Sequence, residues 1–267
     1  MDTSFFSRIE ARQKSLETHL CVGLDPDLTR IPDKYLSTDR PILHFCQDVV
    51  DATHDLVTCF KPQFAHFAAA DALGDLKRIV AYCREREVPV ILDAKRGDVG
   101  STAEFYAQEA FDHYKADAVT VNPYLGGDSL EPFLQRAEKG IILLCRTSNP
   151  GGSDLQNVSL ATGETLFERV AGLASNEWNK NGNVGLVVGA TRPAELARVR
   201  KLVGKMTMLL PGIGAQGGDV AASMAAGAGG GLIVSSSRAI LYPEGGDRAS
   251  IRAAALATRN QINEHRV

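Results

Sequence analysis

No apolar run in this sequence approaches the length needed to cross a bilayer; runs such as IILLC and GLVV end after a few residues. The N-terminal stretch MDTSFFSRIEARQKS is polar and mixed in charge, so it contains no signal-peptide core. An excess of either charge is missing too. The net charge of −3 argues against a general grip on nucleic acid or on an anionic membrane. No CxxC or HxxH spacing offers a metal site. The cysteines, Cys21, Cys46, Cys59, Cys83 and Cys145, are odd in number, widely spaced and mostly in apolar surroundings, which suits reduced core thiols better than a disulfide framework. Together these absences predict a cytoplasmic protein with no membrane or nucleic-acid partner, no metal and no resident cofactor. Of the scattered histidines only His66, just past FKPQF, falls near a suspected site, and a structural role suits it better.

What is present is a repeating pattern. Short apolar, β-branched runs recur at CVGLD (21–25), LVTCFKPQ (56–63), PVILDAK (89–95), AVTVNPY (118–124), GIILLCRTS (140–148), VGLVVGAT (184–191), TMLLPGIG (207–214) and GGLIVSSSR (230–238). Gly, Pro and Asn bound them, as in strands of a buried parallel sheet. The segments between them, such as RPILHFCQDVVDATHD and DLKRIVAYCRER, carry apolar residues at three- and four-residue spacing, the period of a helix face. Ser101 or Thr102 is expected to cap one helix, and Pro193 suits the first turn of another. The length of 267 residues allows two small domains or one large α/β domain. Eight strand–helix repeats predict a single (β/α)8 barrel over residues 1–267, with a doubly wound open sheet as the structural alternative.

A barrel gathers its chemistry where strands end, so the last residues of the runs belong together. They are Asp25, Lys61, Asp93-x-Lys95-x-x-Asp98, Asn122, Ser148, Thr191-Arg192, Gly212-x-Gly214-x-Gln216 and Ser237-Arg238. Asp93 and Lys95 share one face of an alternating strand, and Lys61 would lie beside them on the neighbouring strand. Lys61, Asp93, Lys95 and Asp98 would then form an array of alternating charge that keeps a lysine protonated in a partly dry cleft. A generic D-x-K-x-x-D is more often a structural salt-bridge network; its place at a strand end beside Lys61 favours chemistry. Gly212-x-Gly214-x-x-Gly217 could open a dinucleotide site, but no acidic residue stands about twenty residues on. Paired with SSSR (235–238), it suits the phosphate site that barrels form after strands seven and eight, with Arg238 as a bidentate clamp. RTSNPGG (146–152) is a polar loop in which Ser148 could bond a ligand amide; the stretch to about residue 160 is either a lid or an ordinary loop.

Taken together, LDAKRGDVGST, CVGLDPD, FKPQ, TSNPG, PGIGAQGG and SSSR resemble the orotidine 5′-phosphate decarboxylase family over nearly the whole chain. KRGD and the longer loop after strand five resemble the bacterial second subgroup. The resemblance implies that Lys95 protonates C6 of the pyrimidine of orotidine 5′-phosphate as carbon dioxide leaves, and that Asp93 lies against the substrate carboxylate. Lys61 and Asp98 complete the array, and Lys61 and Asp25 meet the ribose hydroxyls. Ser148 would bind the pyrimidine amide. Gln216 would bridge base and phosphate, and Arg238 with Ser237 and the Gly214 loop would hold the phosphate. Asp98 and Thr102 would reach the neighbouring subunit's site, which implies a homodimer. Arg96-Gly97 departs from the apolar pair of other branches but keeps the spacing, and Asn122 and Arg192 map to no certain role. Two rivals remain at this stage: a metal-dependent sugar-phosphate decarboxylase or aldolase on the same barrel, and a nucleotide-binding barrel without turnover.

Overall fold

Every one of the eight apolar runs contains a strand, to within one residue at the start of the first and the end of the third. In chain order they are β1 (Leu20–Leu24), β2 (Cys59–Pro62), β3 (Ile91–Arg96), β4 (Ala118–Val121), β5 (Gly140–Arg146), β6 (Val184–Val188), β7 (Met208–Pro211) and β8 (Leu232–Ser236). The computed structural model describes residues 4–213 and 219–266. All neighbouring strands pair in parallel, in the order β2-β1-β8-β7-β6-β5-β4-β3. Parallel bridges Phe60–Val90 and Gln63–Asp93 join the two ends of that order. The Phe60 amide donates to the Pro89 carbonyl at 3.0 Å across the same seam. The sheet is thus a closed (β/α)8 barrel with helices outside it, and the open-sheet alternative is excluded.

Alternation along the strands sorts the core into two parts. One residue from each strand points inward: Cys21, Cys59, Ile91, Ala118, Ile142, Val187, Leu209 and Ile233 form a single packed cluster. Their outward neighbours, such as Val22, Phe60, Val119 and Leu210, join a larger cluster with the helices. Both faces are buried, so the strands read as continuous apolar runs. Two residues beyond the inward cluster, the same alternation brings a second set into the barrel mouth. It includes Lys61, Asp93, Thr120, Leu144, Pro211 and Ser235, all lining one cavity. The polar set therefore rests directly on the hydrophobic layer.

The other end of the barrel is closed by a helix that the polar N-terminal sequence did not announce. Phe5–Leu16 presents Phe5 and Ile9 to the inward cluster. Gly140 and Gly185 are glycines because a Cβ there would run into Phe5 and Phe6 respectively. Arg8 Nη1 pairs with Asp117 at 2.5 Å, and Asp117 also accepts from the Val90 amide. Gln13 donates to the Leu232 carbonyl at 2.6 Å, tying the helix to the start of β8.

Two local expectations meet different outcomes. Pro193 does open the helix Pro193–Val203. The helix Gly100–Gln108, however, is preceded by Val99 and has no side-chain cap, so neither Ser101 nor Thr102 is its N-cap; both lie inside its first turn. All five cysteines are free and buried, and burial pushes Cys145 up to about 12 and also raises the thiols of Cys46, Cys59 and Cys83, which keeps them inert. Among the described residues no helix is long and apolar enough to cross a membrane.

Candidate active site

Asp93 organises the mouth of the barrel. It is 6% exposed, and all four of its lone-pair directions have donors. Oδ2 accepts from Lys61 Nζ at 2.7 Å and Gln63 Nε2 at 3.1 Å. Oδ1 accepts from Lys95 Nζ at 2.6 Å and Thr120 Oγ1 at 2.9 Å. An unpaired buried carboxylate would cost several kcal/mol, so this saturation is what lets the charge stay inside. Burial works to raise the Asp93 pKa, but Lys61 and Lys95 outweigh it and hold the carboxyl well below the usual carboxylate range. For Lys61 burial works to lower the pKa, and Asp93 and Asp25 reverse it, holding the ammonium above its ordinary value. Both groups are charged at neutral pH.

Lys95 reaches this centre in a way that alternation does not describe. Its φ is +47°, a left-handed conformation that a residue with a Cβ adopts at a cost. The β3–β4 register also shifts here: Leu92 pairs with Val119, and Arg96 with Val121. The resulting bulge swings the Lys95 side chain over the mouth, half exposed, with its ammonium on Asp93.

The cavity above the array has a volume of about 390 Å³. Of the residues singled out from sequence, Asp25, Lys61, Asp93, Lys95, Ser148, Ser237 and Arg238 all line it, as does Gly212. Asp25 Oδ1 is buried and has no hydrogen-bond partner among the described residues, in a residue that lines the cavity. Gly23 makes room for this corner, since a Cβ there would meet Ser237 Oγ and crowd Asp25. Asp98 and Thr102 do not line the cavity of their own chain, so three of the four array members meet within this chain. Asp98 Oδ1 instead accepts from the Val99 amide at 2.8 Å. Asn122 caps the short turn Pro123–Leu125, and neither it nor Arg192 lines the cavity. Gly214 and Gln216 lie outside the described residues.

Gln63 and Thr120 were missed by sequence reasoning. The signal for Thr120 was available, because it stands two residues after the inward-facing Ala118. Val187 and Leu209 supply an apolar floor suited to a flat ring.

The loop after β5 is tied down by a network centred on Arg146. Arg146 is fully buried and binds Glu195 at 2.6 Å, the Thr147 carbonyl at 2.9 Å, Gln156 at 3.0 Å and Ser153 at 3.0 Å. Gly152 has no Cβ because Arg146 Nη1 and Thr147 Oγ1 occupy that position. This network presents Thr147, Ser148 and Asn149 to the cavity. Among the described residues no group of three or more His, Cys, Asp or Glu side chains is placed to hold a metal ion.

Comparison with known proteins agrees with this geometry. Residues 18–254 match the model of the "Orotidine 5'-phosphate decarboxylase / HUMPS family". The chain is 56% identical to the orotidine 5′-phosphate decarboxylase of Aromatoleum aromaticum, over 98% of this chain and 99% of that protein. Its structure resembles Leishmania donovani OMP decarboxylase with a TM-score of 0.86 and 38% identity, covering 98% of both chains. It also superposes on the longer UMP synthase of the same organism, with a TM-score of 0.88 and 40% identity, spanning 98% of this chain and 56% of that one. On a family match that runs through every strand of the barrel, this chain belongs to the orotidine 5′-phosphate decarboxylase / HUMPS family.

Proposed function

We infer that this chain decarboxylates orotidine 5′-phosphate to uridine 5′-phosphate, closing the synthesis of the pyrimidine nucleotide. One observation carries the reading: the Lys95 ammonium sits on a saturated Asp93 in a cavity that also holds Arg238. A phosphate on Arg238 would span the cavity and present a ring to Lys95.

The chemistry explains the charges. As the C6–carboxylate bond breaks, its electron pair stays on C6 in an sp² orbital that no carbonyl can drain. Reactions of this difficulty need barrier reductions on the order of 20 kcal/mol. Lys95 stabilises the developing carbanion electrostatically and then gives C6 a proton, and carbon dioxide departs. Repulsion between Asp93 and the substrate carboxylate supplies at most about 4 kcal/mol at about 4 Å and an effective dielectric near 20, so it is a contributor only. Binding energy from the distant phosphate aligns the reacting end.

In this reading Lys61 and Asp25 take the ribose hydroxyls, and the orphaned Asp25 Oδ1 supports that role. Ser148 takes the pyrimidine amide, Ser237 and Arg238 the phosphate, and Gly214 and Gln216 complete that grip. The whole of residues 1–267 acts as one decarboxylase unit of the bacterial second-subgroup type, in the cytoplasm, with neither metal nor cofactor. It works as a homodimer in which Asp98 and Thr102 serve the neighbouring copy's cavity. Their position outside their own cavity supports this, as do the exposed apolar side chains of Val99 and Phe105 beside them.

The test is the ultraviolet absorbance of orotidine 5′-phosphate mixed with the purified protein, with and without EDTA. Loss of the orotate chromophore that EDTA does not slow, with uridine 5′-phosphate formed, is the expected result. No turnover by folded protein would remove the reading. Turnover restored only by a divalent cation with a sugar phosphate would favour the aldolase-like rival.

A further inference from the structure

A single hydroxyl joins the proton donor to the carboxylate that holds it. Thr120 on β4 is 1% exposed, and its Oγ1 accepts from the Lys95 backbone amide at 3.0 Å while donating to Asp93 Oδ1 at 2.9 Å. A hydroxyl has one proton, and with the Lys95 amide on its acceptor side that proton is committed to Asp93. Oδ1 has two donors, this hydroxyl and Lys95 Nζ, whereas Lys61 and Gln63 serve Oδ2. When the ammonium turns to C6 and gives up its proton, Oδ1 loses one donor, and Thr120 is the one that stays.

The same oxygen supports the backbone that aims Lys95. From Leu92 to Arg96, four residues of β3 pass two of β4, and within that bulge Lys95 holds φ +47°. Its amide, displaced from the regular ladder, ends on Thr120 Oγ1. Without that bond a partly buried donor would be left open beside a strained residue.

We propose that Thr120 is a positioning residue for proton delivery: it keeps Asp93 oriented while Lys95 spends its proton, and it fixes the bulge from which Lys95 reaches C6. This rests on the decarboxylase reading. Thr120 acts through Lys95 and Asp93 rather than on the substrate's reacting atoms.

The experiment compares wild type, Thr120→Val and Thr120→Ser in the orotidine 5′-phosphate assay. Thermal melting and calorimetric titration with uridine 5′-phosphate accompany it. Valine keeps the shape and removes the hydroxyl. It is expected to lower kcat about 100-fold, the scale of a misaligned reacting group, while product affinity stays near wild type and the melting temperature falls by a few degrees as the Lys95 amide loses its acceptor. Serine keeps the hydroxyl and is expected to retain most of the wild-type rate. Should the valine variant not fold, Thr120→Ala carries the same expectation. Wild-type kcat in the hydroxyl-free variants overturns the proposal, and so does a serine variant as impaired as valine. Absence of turnover in the wild-type protein overturns the decarboxylase reading itself, and the proposal with it.

Discussion

Two buried cations stand at opposite ends of this barrel, and they are held by different means. Lys61, at the mouth, is 5% exposed and bound to a carboxylate at 2.7 Å. Arg200, at the end opposite the mouth, is 8% exposed and has no acid partner among the described residues. Its guanidinium donates to the carbonyls of Gly227, Gly204, Met206 and Gly231 at 2.6–3.0 Å, gathering the chain ends that precede β7 and β8. Burial lowers Arg200 to about 10, still protonated at neutral pH, whereas Asp93 and Asp25 lift Lys61 against the same desolvation. Carbonyl dipoles therefore suffice for a cation whose task is to hold the fold. At the mouth the cation is held by carboxylates that also line the cavity, Asp93 and Asp25, and a left-handed Lys95 is accepted along with them.

The largest expected break in this comparison is at the mouth. Lys95→Ala should reduce decarboxylation by about 10⁴-fold or more, since it removes both the charge at C6 and the proton, yet the half-exposed side chain contributes little to packing. Its melting temperature and its binding of a phosphate ligand should remain close to wild type. A Lys95→Ala protein that retained measurable turnover well above that level would show that the proton comes from elsewhere.

Next in size is the remote grip. Arg238→Ala should lower kcat/KM by a hundredfold or more, from losing charge-assisted bonds that together contribute about 3 kcal/mol. If phosphate binding energy aligns the ring, part of that loss appears in kcat and not only in KM. An unchanged efficiency would mean that the phosphate sits elsewhere.

At the opposite end the expectation reverses. Arg200→Met removes four hydrogen bonds and leaves partly buried carbonyls without donors, a cost of about 2–4 kcal/mol. That corresponds to a fall of about 5–10 °C in melting temperature for a chain of this size. The kcat of the folded fraction should not change. A variant that lost rate without losing stability would erase the distinction between the two ends.

Much of this division could be read from residues alone. The strands were legible because both their faces are buried, which leaves uninterrupted apolar runs, and Lys61, Asp93 and Lys95 stood out as charges where such runs end. Thr120 was hidden because a threonine inside AVTV is an ordinary strand residue; only the inward phase of Ala118 marks it. The N-terminal helix was hidden because Phe5, Phe6 and Ile9 are the few apolar residues by which a mostly polar segment docks onto the barrel. The path after Lys95 was misjudged at the cap, and strict alternation could not foresee the bulge. Asp98, which the resemblance assigns to a neighbouring copy's site, does not line the cavity of its own chain.

The smallest expected effect tests the two ends by pH. Asp93 has a folded pKa below its unfolded value of about 3.9, so its contribution is present above that value and is lost only as pH falls far below it. Lys61 has a folded pKa above its unfolded value of about 10.4, so its contribution is intact below that value and is lost only in strong alkali. The mouth pair is thus silent between about pH 5 and 9. His19, at the start of β1, behaves oppositely. Burial lowers its pKa, the Leu232 carbonyl at 3.2 Å opposes that, and Arg266 adds to it. Its contribution is complete above about 6.5 and fades as pH falls through the lowered folded value. Melting temperature should therefore decline between pH 7 and 5. His19→Gln, which can keep a donor toward Leu232, should flatten that decline, while Lys61→Arg, which keeps a cation on Asp93, should shift the whole curve without changing its slope. A slope that followed Lys61 instead would place the titrating group at the mouth, and the charges there would no longer be fixed across the range in which the enzyme must hold its proton.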